Sequence, residues 1–178
     1  RGTRGGGGGG AVEGRRGGGG RARRAGQLRN ADGSVLGRYG PIMAGHCERE
    51  VRLDHQHGAG RPLLLGVSAG PTLSSMCTLE GGRVCLAGEP ARFRIVSRDS
   101  YGNLRTQGGD QFSVTLEDGT AAAIDDSGDG SYTASFVCEF AGTHLLSVRL
   151  DGREHLPGSP FALRCRPGHP HLPLCALV

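Results

Sequence analysis

The chain has 178 residues, a formal net charge of +4 and 34 glycines. The positive charge is concentrated in the first 26 residues, where seven arginines accompany a single acid, Glu13. The remainder is close to neutral, which argues against a basic groove for nucleic acid, and the absence of a long apolar run predicts no membrane span.

The first segment, residues 1–30, is rich in glycine and arginine and poor in apolar side chains. Ordering the backbone of each residue costs about 1–2 kcal/mol, and without apolar burial nothing offsets that cost. We therefore predict that residues 1–30 are disordered and act as a flexible linker.

Residues 31–69 repeat a later part of the chain. Residues 32–54 align with residues 129–151 at a shift of 97, and nine positions are identical. After one inserted residue the match resumes, and the shift suits one immunoglobulin-like domain of about 100 residues. We predict that residues 31–69 are the last three strands of a partial copy, and that residues 70–167 are a complete copy.

From Leu73 onward, short runs of alternating apolar residues are separated by Gly, Asp, Asn and Pro. This pattern is typical of an all-β sandwich. In chain order, the predicted strands are marked by Phe93 and Ile95; Phe112, Val114 and Leu116; a weak strand at 121–124; Tyr132, Ala134 and Phe136; His144, Leu146, Val148 and Leu150; and Phe161, Leu163 and Cys165. The sequence therefore predicts an all-β fold, an immunoglobulin-like β-sandwich of about seven strands, followed by a tail at 168–178.

Four turn motifs occur in order across the predicted complete copy. They are Asp99-Ser100-Tyr101-Gly102-Asn103, Asp129-Gly130-Ser131-Tyr132, Ala141-Gly142 and Gly158-Ser159-Pro160-Phe161. Together they resemble the motifs of the filamin-type repeat, the actin-binding protein 280-like family. The resemblance implies a structural role for the motif residues Asp99, Gly102, Asn103, Asp129, Gly130, Tyr132, Gly142, Gly158, Pro160 and Phe161. Gly102 suits a turn with left-handed backbone angles, and the Tyr132 hydroxyl is expected near backbone.

The sequence predicts no catalysis, no metal site and no cofactor. The six cysteines lack the two-residue spacing of a zinc knuckle. Asp125, Asp126 and Asp129 lack the ligand pattern of a calcium loop, so they are interpreted as solvated turn residues. No G-x-S-x-G motif is present, and no serine has the neighbours of a catalytic triad.

The resemblance implies a non-catalytic scaffolding module that binds protein partners, either neighbouring repeats or extended peptide segments. The expected mechanism is β-augmentation, in which a partner strand pairs with an exposed strand edge. The expected site is the edge of the strand at 112–117 together with the short strand beside it. Its predicted residues are Phe112, Ser113, Val114, Thr115, Leu116, Ala122 and Ile124.

The sequence leaves two other functions open. Filamin-like repeats also occur in extracellular adhesion proteins, and a disulfide from Cys165 to Cys77 or Cys85 would indicate an oxidising compartment. Alternatively, the arginine- and glycine-rich segment contacts RNA, although it lacks the aromatic residues that stack on bases. A cytoplasmic or cytoskeleton-associated location is preferred over an extracellular one.

Overall fold

The computed structural model describes residues 63–169 without a break and, before them, residues 22–23, 27–32, 34–37, 40–49, 52–53 and 56–57. The chain divides into two units, Arg1–Ser68 and Ala69–Val178. Among the described residues, no helix has the length and apolar character needed to cross a membrane.

In the first unit, the described strands form antiparallel pairs of two strands each. The pairs are β1 (Ala22–Arg23) with β4 (Gly40–Pro41), β2 (Gln27–Arg29) with β3 (Val35–Gly37), β5 (Gly45–Arg49) with β8 (Leu63–Val67), and β6 (Arg52–Leu53) with β7 (Gln56–His57).

Strands β1 and β2 lie inside the segment 1–30, for which composition predicts disorder. Strand β2 pairs with β3 along three positions. Pairing with a later strand depends on the chain beyond residue 30, so the glycine content of the segment did not reveal it. The prediction for residues 1–21 and 24–26 falls outside the described residues.

The second unit contains a 3-10 turn at Ser74–Met76 followed by nine strands. The strands are β9 (Thr78–Glu80), β10 (Val84–Leu86), β11 (Pro90–Val96), β12 (Phe112–Leu116), β13 (Ala123–Asp126), β14 (Ser131–Val137), β15 (Gly142–Leu150), β16 (Glu154–His155) and β17 (Phe161–Arg166).

These strands form two sheets. One has the order β13-β14-β11-β9, and the other has the order β10-β17-β15-β12 with β16 attached to β15. All neighbours are antiparallel except β10 and β17, which are parallel. The first and the last strand of each sheet have one edge that pairs with no other named strand. Strands β12 and β13 are two such edge strands.

The core lies between the two sheets, and its residues come from alternate positions of the strands. The predicted inward residues are confirmed on β11, β12, β14 and β17, and on β15 for Leu146, Val148 and Leu150. Ile95, Ala134 and Val148 have no measurable exposure. Phe93 also stacks on Phe136, with ring centroids 5.7 Å apart. Alternation along each strand places one face in this core and the other in solvent.

The second unit has nine strands, where about seven were predicted. The first strand is split, because Gly81 adopts a φ of +140° and the chain then passes from β9 in one sheet to β10 in the other. The short β16 adds another strand. The weak strand predicted at 121–124 is also displaced to β13, since Asp125 and Asp126 pair with β14.

Asp99 and Tyr132 make hydrogen bonds to the backbone of turns in the sandwich. The Asp99 carboxylate accepts hydrogen bonds from the N–H groups of Gly70, Tyr101 and Asn103 and from the Asn103 side chain. Gly102, in the same turn, has the expected positive φ of +82°. The Tyr132 hydroxyl accepts a hydrogen bond from the N–H of Asp110 at 3.0 Å, and burial raises the pKa of Tyr132 to about 12.

Three of the four described strand pairs of the first unit have the registers of equivalent pairs in the second; the pair of β1 and β4 has no equivalent. The pair Leu28–Leu36 is equivalent to Asp125–Thr133, Cys47–Leu65 is equivalent to His144–Leu163, and Arg52–His57 is equivalent to Arg149–His155. Each residue of the second unit follows its counterpart by 97 or 98 positions, as in the sequence repeat.

The turn hydrogen bonds match as well. The N–H of Asn30 donates to the carbonyl of Ser34 at 2.9 Å, and Ser127 donates to Ser131 in the same way at 3.0 Å. Strands β2, β3, β5, β6, β7 and β8 therefore correspond to β13 through β17. Six described strands match five, because β5 and β6 correspond to the two ends of β15. The prediction of three strands omitted β2, which lies in the segment whose composition suggested disorder, and β7, which corresponds to the short β16.

Candidate functional site

Strand β12 ends its sheet, and its two faces differ. Phe112, Val114 and Leu116 point into the core and are 8%, 1% and 4% exposed. Ser113 and Thr115, on the outer face, are half-buried. The side chains of the outer face and the backbone of the edge are therefore the parts of β12 that a partner would meet.

The backbone groups of β12 alternate between its neighbour β15 and the sheet edge. The Val114 carbonyl accepts a hydrogen bond from the N–H of Ala122 at 2.8 Å, and the N–H of Leu116 donates to the Thr120 carbonyl at 2.9 Å. Even-numbered residues thus direct their backbone groups to the edge, and residues 119–122 already cover the end of the strand near Leu116. This coverage results from the Asp118-Gly119 turn, in which Thr120 donates to the Asp118 carboxylate.

The other end of the β12 edge is unpaired, although Phe112 and Val114 are buried residues. Within the described part of the chain, no hydrogen bond is made by the Phe112 N–H, the Phe112 carbonyl or the Val114 N–H. Strand β12 therefore offers two donors and one acceptor in a row. Unpaired groups of this kind are a template for an added strand.

The unpaired part of the edge is bounded by β13 and by the loop before β12. Ala122 and Ile124 are half-buried and pack against the core. The loop is held close because the N–H of Gly109 donates to the Asp126 carboxylate at 2.8 Å. The unpaired part of the edge thus lies between a fixed loop and an apolar wall, which an added strand would have to displace in part.

Acidic side chains are concentrated on the β13 side of the edge, whereas the exposed Arg149, the register partner of Ser113 on β15, provides a positive charge on the outer face. Residues 106–148 contain seven acidic residues and no lysine or arginine. Among the acids, Glu117, Asp118, Asp125 and Asp126 are exposed on β13 and on its connection to β12. The negative potential of such a cluster favours neutral or positively charged partners.

The structure brings the seven predicted site residues together, but in different roles. Phe112, Val114 and Leu116 provide backbone at the edge, while their side chains are part of the core. Ser113 and Thr115 provide the accessible outer face. Ala122 covers part of the edge, and Ile124 belongs to the adjacent wall.

Sequence reasoning missed a group of three cysteines at one end of the sandwich. The sulfur atoms of Cys85, Cys138 and Cys165 all lie within 4.8 Å of one another. The residues come from β10, the end of β14 and β17, so their spacing in sequence carries no signal. Burial raises the pKa of all three thiols. Cys77, the other candidate for a disulfide with Cys165, is a buried free thiol in the core.

Two sheets stacked face to face, with this strand order and these turns, define an immunoglobulin-like β-sandwich. Residues 70–162 match the family model of the Filamin/ABP280 repeat. The chain therefore belongs to the filamin repeat family, whose repeats are protein-interaction modules.

Two similar proteins support this family assignment. Filamin-C of Mus musculus is 31% identical over 137 residues, which are 76% of this chain and 5% of that protein. E3 ubiquitin-protein ligase TRIM71 of Xenopus tropicalis is 33% identical over 99 residues, which are 53% of this chain and 12% of that protein. The chain spans a small part of either relative.

The solved structure of the Escherichia coli adhesin FdeC superimposes with a TM-score of 0.54 at 22% identity, covering 83% of this chain and 49% of that chain. This similarity shows the fold alone.

Proposed function

We propose that the complete repeat, residues 70–167, is a scaffolding module that binds an extended segment of a protein partner at the unpaired edge of β12. The single observation that carries the proposal is the unpaired row formed by the N–H and carbonyl of Phe112 and the N–H of Val114. A partner strand would satisfy all three groups and extend the sheet.

Backbone pairing alone would give weak binding. A hydrogen bond between neutral groups contributes about 0.5–1.5 kcal/mol net, and three of them must also offset the loss of freedom of the partner. Side-chain contacts with Ser113 and Thr115 on the outer face, and with Ile124 on the wall, are therefore part of the proposal. They would also supply the specificity.

The charges near the edge define the chemistry of the partner segment. Because Glu117, Asp118, Asp125 and Asp126 lie on β13 and on its connection to β12, the proposed partner is a short extended segment with β-branched residues in its centre and arginine or lysine at the end that meets these acids. Coverage of the Leu116 end by residues 119–122 limits strand pairing to a few residues. This predicts modest affinity and fast exchange.

The experiment starts from peptides of random sequence displayed against the immobilised chain. The binding of selected peptides is then measured for the wild type, for Ser113→Arg with Thr115→Arg, and for Ala162→Arg. Ala162 lies on the same outer face but on β17, two strands and about 10 Å from β12. It is exposed, so it is a matched control.

The proposal predicts that the double change on β12 weakens binding at least about tenfold while Ala162→Arg has little effect. Selected peptides that bind the β12 variant as tightly as the wild type would contradict it. Ser113 and Thr115 are suitable positions because their side chains lie outside the core, whereas a charge at Val114 would be buried and would unfold the sandwich.

We also propose that residues 27–67 are the last strands of a preceding repeat. The support is the set of registers and turn hydrogen bonds shared with β13 through β17. Counterparts of β9, β10, β11 and β12 do not occur among the described residues before residue 69. A unit of this kind would act as one member of a tandem array.

A further inference from the structure

We propose that Cys85, Cys138 and Cys165 form a binding site for one thiophilic metal ion of the Zn(II) or Cu(I) class. Their three sulfur atoms lie within 4.8 Å of one another. Cys138 and Cys165 are each 3% exposed, and Cys85 is partly buried against the core. A cation held between the sulfurs would contact all three after small side-chain rotations, because metal–sulfur bonds are about 2.3 Å long.

The backbone around the three cysteines is fixed before any metal binds. Cys85 and Cys165 are register partners on the parallel strands β10 and β17. The turn after β10 is tied to the other two positions, since the N–H of Ala87 donates to the Arg166 carbonyl at 2.8 Å and the N–H of Gly88 donates to the Cys138 carbonyl at 2.9 Å. A site held by rigid strands pays little ordering cost when it binds its ion.

The fold itself does not require cysteine at these places. The counterparts of Cys138 and Cys165 in the repeated first unit are Pro41 and Val67, at shifts of 97 and 98. An apolar residue such as Val67 fills the equivalent position on the equivalent strand. The presence of cysteine at positions 138 and 165 is therefore a property of this copy and not a requirement of the fold.

The donor set selects the class of ion. Thiolate ligands favour Zn(II) and Cu(I) over the hard cations that prefer oxygen. Within the part of the chain that the structure describes, no fourth acidic, histidine or cysteine side chain joins the cluster. Three thiolates match trigonal Cu(I), or Zn(II) with a water as fourth ligand at the partly exposed side of Cys85.

Binding would exchange protons for the metal without any redox step. Three Cys S–H groups lose their protons, three sulfur–metal bonds form, and three protons pass to solvent. Cys85 and Cys165 belong to one sheet, whereas Cys138 directly follows β14 of the other. A bound ion would therefore cross-link the two sheets and raise the unfolding temperature.

The test uses the full 178-residue chain and two triple variants under a reductant that does not bind metal. One variant, Cys85→Ser with Cys138→Ser and Cys165→Ser, lacks the cluster. The matched control removes the other three cysteines, Cys47→Ser with Cys77→Ser and Cys175→Ser. Cd(II), Co(II) and Cu(I) are titrated separately, and thiolate-to-metal charge-transfer absorption, stoichiometry and unfolding temperature are recorded.

The wild type and the control variant should bind one ion per chain with the same affinity within about threefold, and both should gain thermal stability. The cluster variant should lose at least about tenfold in affinity and gain no stability. Tighter binding of Cu(I), or of Cd(II) and Co(II), tells which class of ion the site takes. Equal binding by both triple variants, or the absence of one-to-one binding in the wild type, would overturn the proposal.

A folding check keeps the test decisive. Circular dichroism is measured for each variant, since serine in the buried positions leaves a hydroxyl in an apolar site. If the cluster variant does not fold, the single change Cys85→Ser at the partly exposed position replaces it. The same loss of affinity is then expected, and unchanged affinity would overturn the proposal.

Discussion

Asp99 shows how one side chain fixes a turn that the sequence motif marks. Burial alone would raise the pKa of this carboxyl, but the hydrogen bonds from Asn103, Gly70 and Tyr101 lower it below the usual 3.8. A lowered pKa in the folded state means that the ionised form stabilises the fold. That stability is fully present above about pH 5 and is lost as the pH falls through the folded-state pKa.

Asp99→Asn should lower the free energy of unfolding at pH 7 by about 1–3 kcal/mol, because charged hydrogen bonds are lost and a buried group is left with an unsuitable partner. The loss of stability between pH 5 and pH 2 should also become smaller than in the wild type. Urea denaturation at several pH values measures both effects. The control Asp118→Asn, on an exposed turn, should change stability less at pH 7, and equal losses in the two variants would contradict this account.

Gly130 illustrates a position where only glycine fits. Its φ is +85°, and an added Cβ would lie 2.4 Å from the carbonyl oxygen of Arg105. Gly128 has a similar φ of +77°, but an added Cβ there meets nothing within 4 Å. Alanine variants at these two positions therefore allow the cost of the left-handed backbone to be distinguished from the cost of steric overlap.

Gly128→Ala should cost about 1–2 kcal/mol of stability from the left-handed backbone alone. Gly130→Ala should cost clearly more, because the chain must also move away from Arg105. Denaturant titration of the two variants side by side measures the difference. Equal costs would show that the contact with Arg105 is relieved at no expense.

At this scale, the sequence predicted residues whose role is local. Asp99, Gly102 and Tyr132 lie in short turn motifs that are visible in a single stretch of chain. The cluster of Cys85, Cys138 and Cys165 was not predictable, because it depends on three strands that meet only after both sheets have formed.

At the scale of the elements, the sequence predicted that β12 is an edge strand, but it did not predict that residues 119–122 cover the Leu116 end of that edge. Alternation of Phe112, Val114 and Leu116 indicated a strand with one buried face. The pairing of Ala122 and Thr120 with its far end depends on how the chain leaves the Asp118-Gly119 turn. For the same reason β13 was predicted two residues too early.

The charge of the β12–β13 connection should control partner binding. Glu117→Gln with Asp125→Gln should weaken the binding of selected basic peptides several-fold and reduce the dependence of affinity on salt, because screening acts on fewer charges. Titrations at two salt concentrations measure this. Glu139→Gln, beyond the opposite end of β14, is the control and should behave as the wild type. An unchanged salt dependence in the double variant would exclude a role for these acids.

At the scale of the whole molecule, the two units differ in the strands that the structure describes. Ala69–Val178 contains both sheets and the core between them, whereas six of the described strands of Arg1–Ser68, β2, β3 and β5 to β8, correspond to β13 through β17. Nine identities in the sequence repeat predicted that the first unit resembles the end of the second. Which strands of the first unit are equivalent to which strands of the second could be seen only from the pairing registers.

A fragment of residues 69–178 should therefore unfold in a single transition. Its midpoint should lie at the same denaturant concentration as the unfolding of the second unit within the full chain. Circular dichroism during urea titration compares the two. A fragment that is unfolded, or that is clearly less stable, would show that the first unit contributes to the fold of the second.

Amide hydrogen exchange at the edge of β12, followed by NMR, tests the proposed binding site most directly. In the unbound chain, the N–H groups of Phe112 and Val114 should exchange faster than those of Ser113 and Thr115, which face β15. Addition of a selected peptide should protect Phe112 and Val114. If both amides are already protected without peptide, or stay unprotected when it is bound, strand addition at this edge is contradicted.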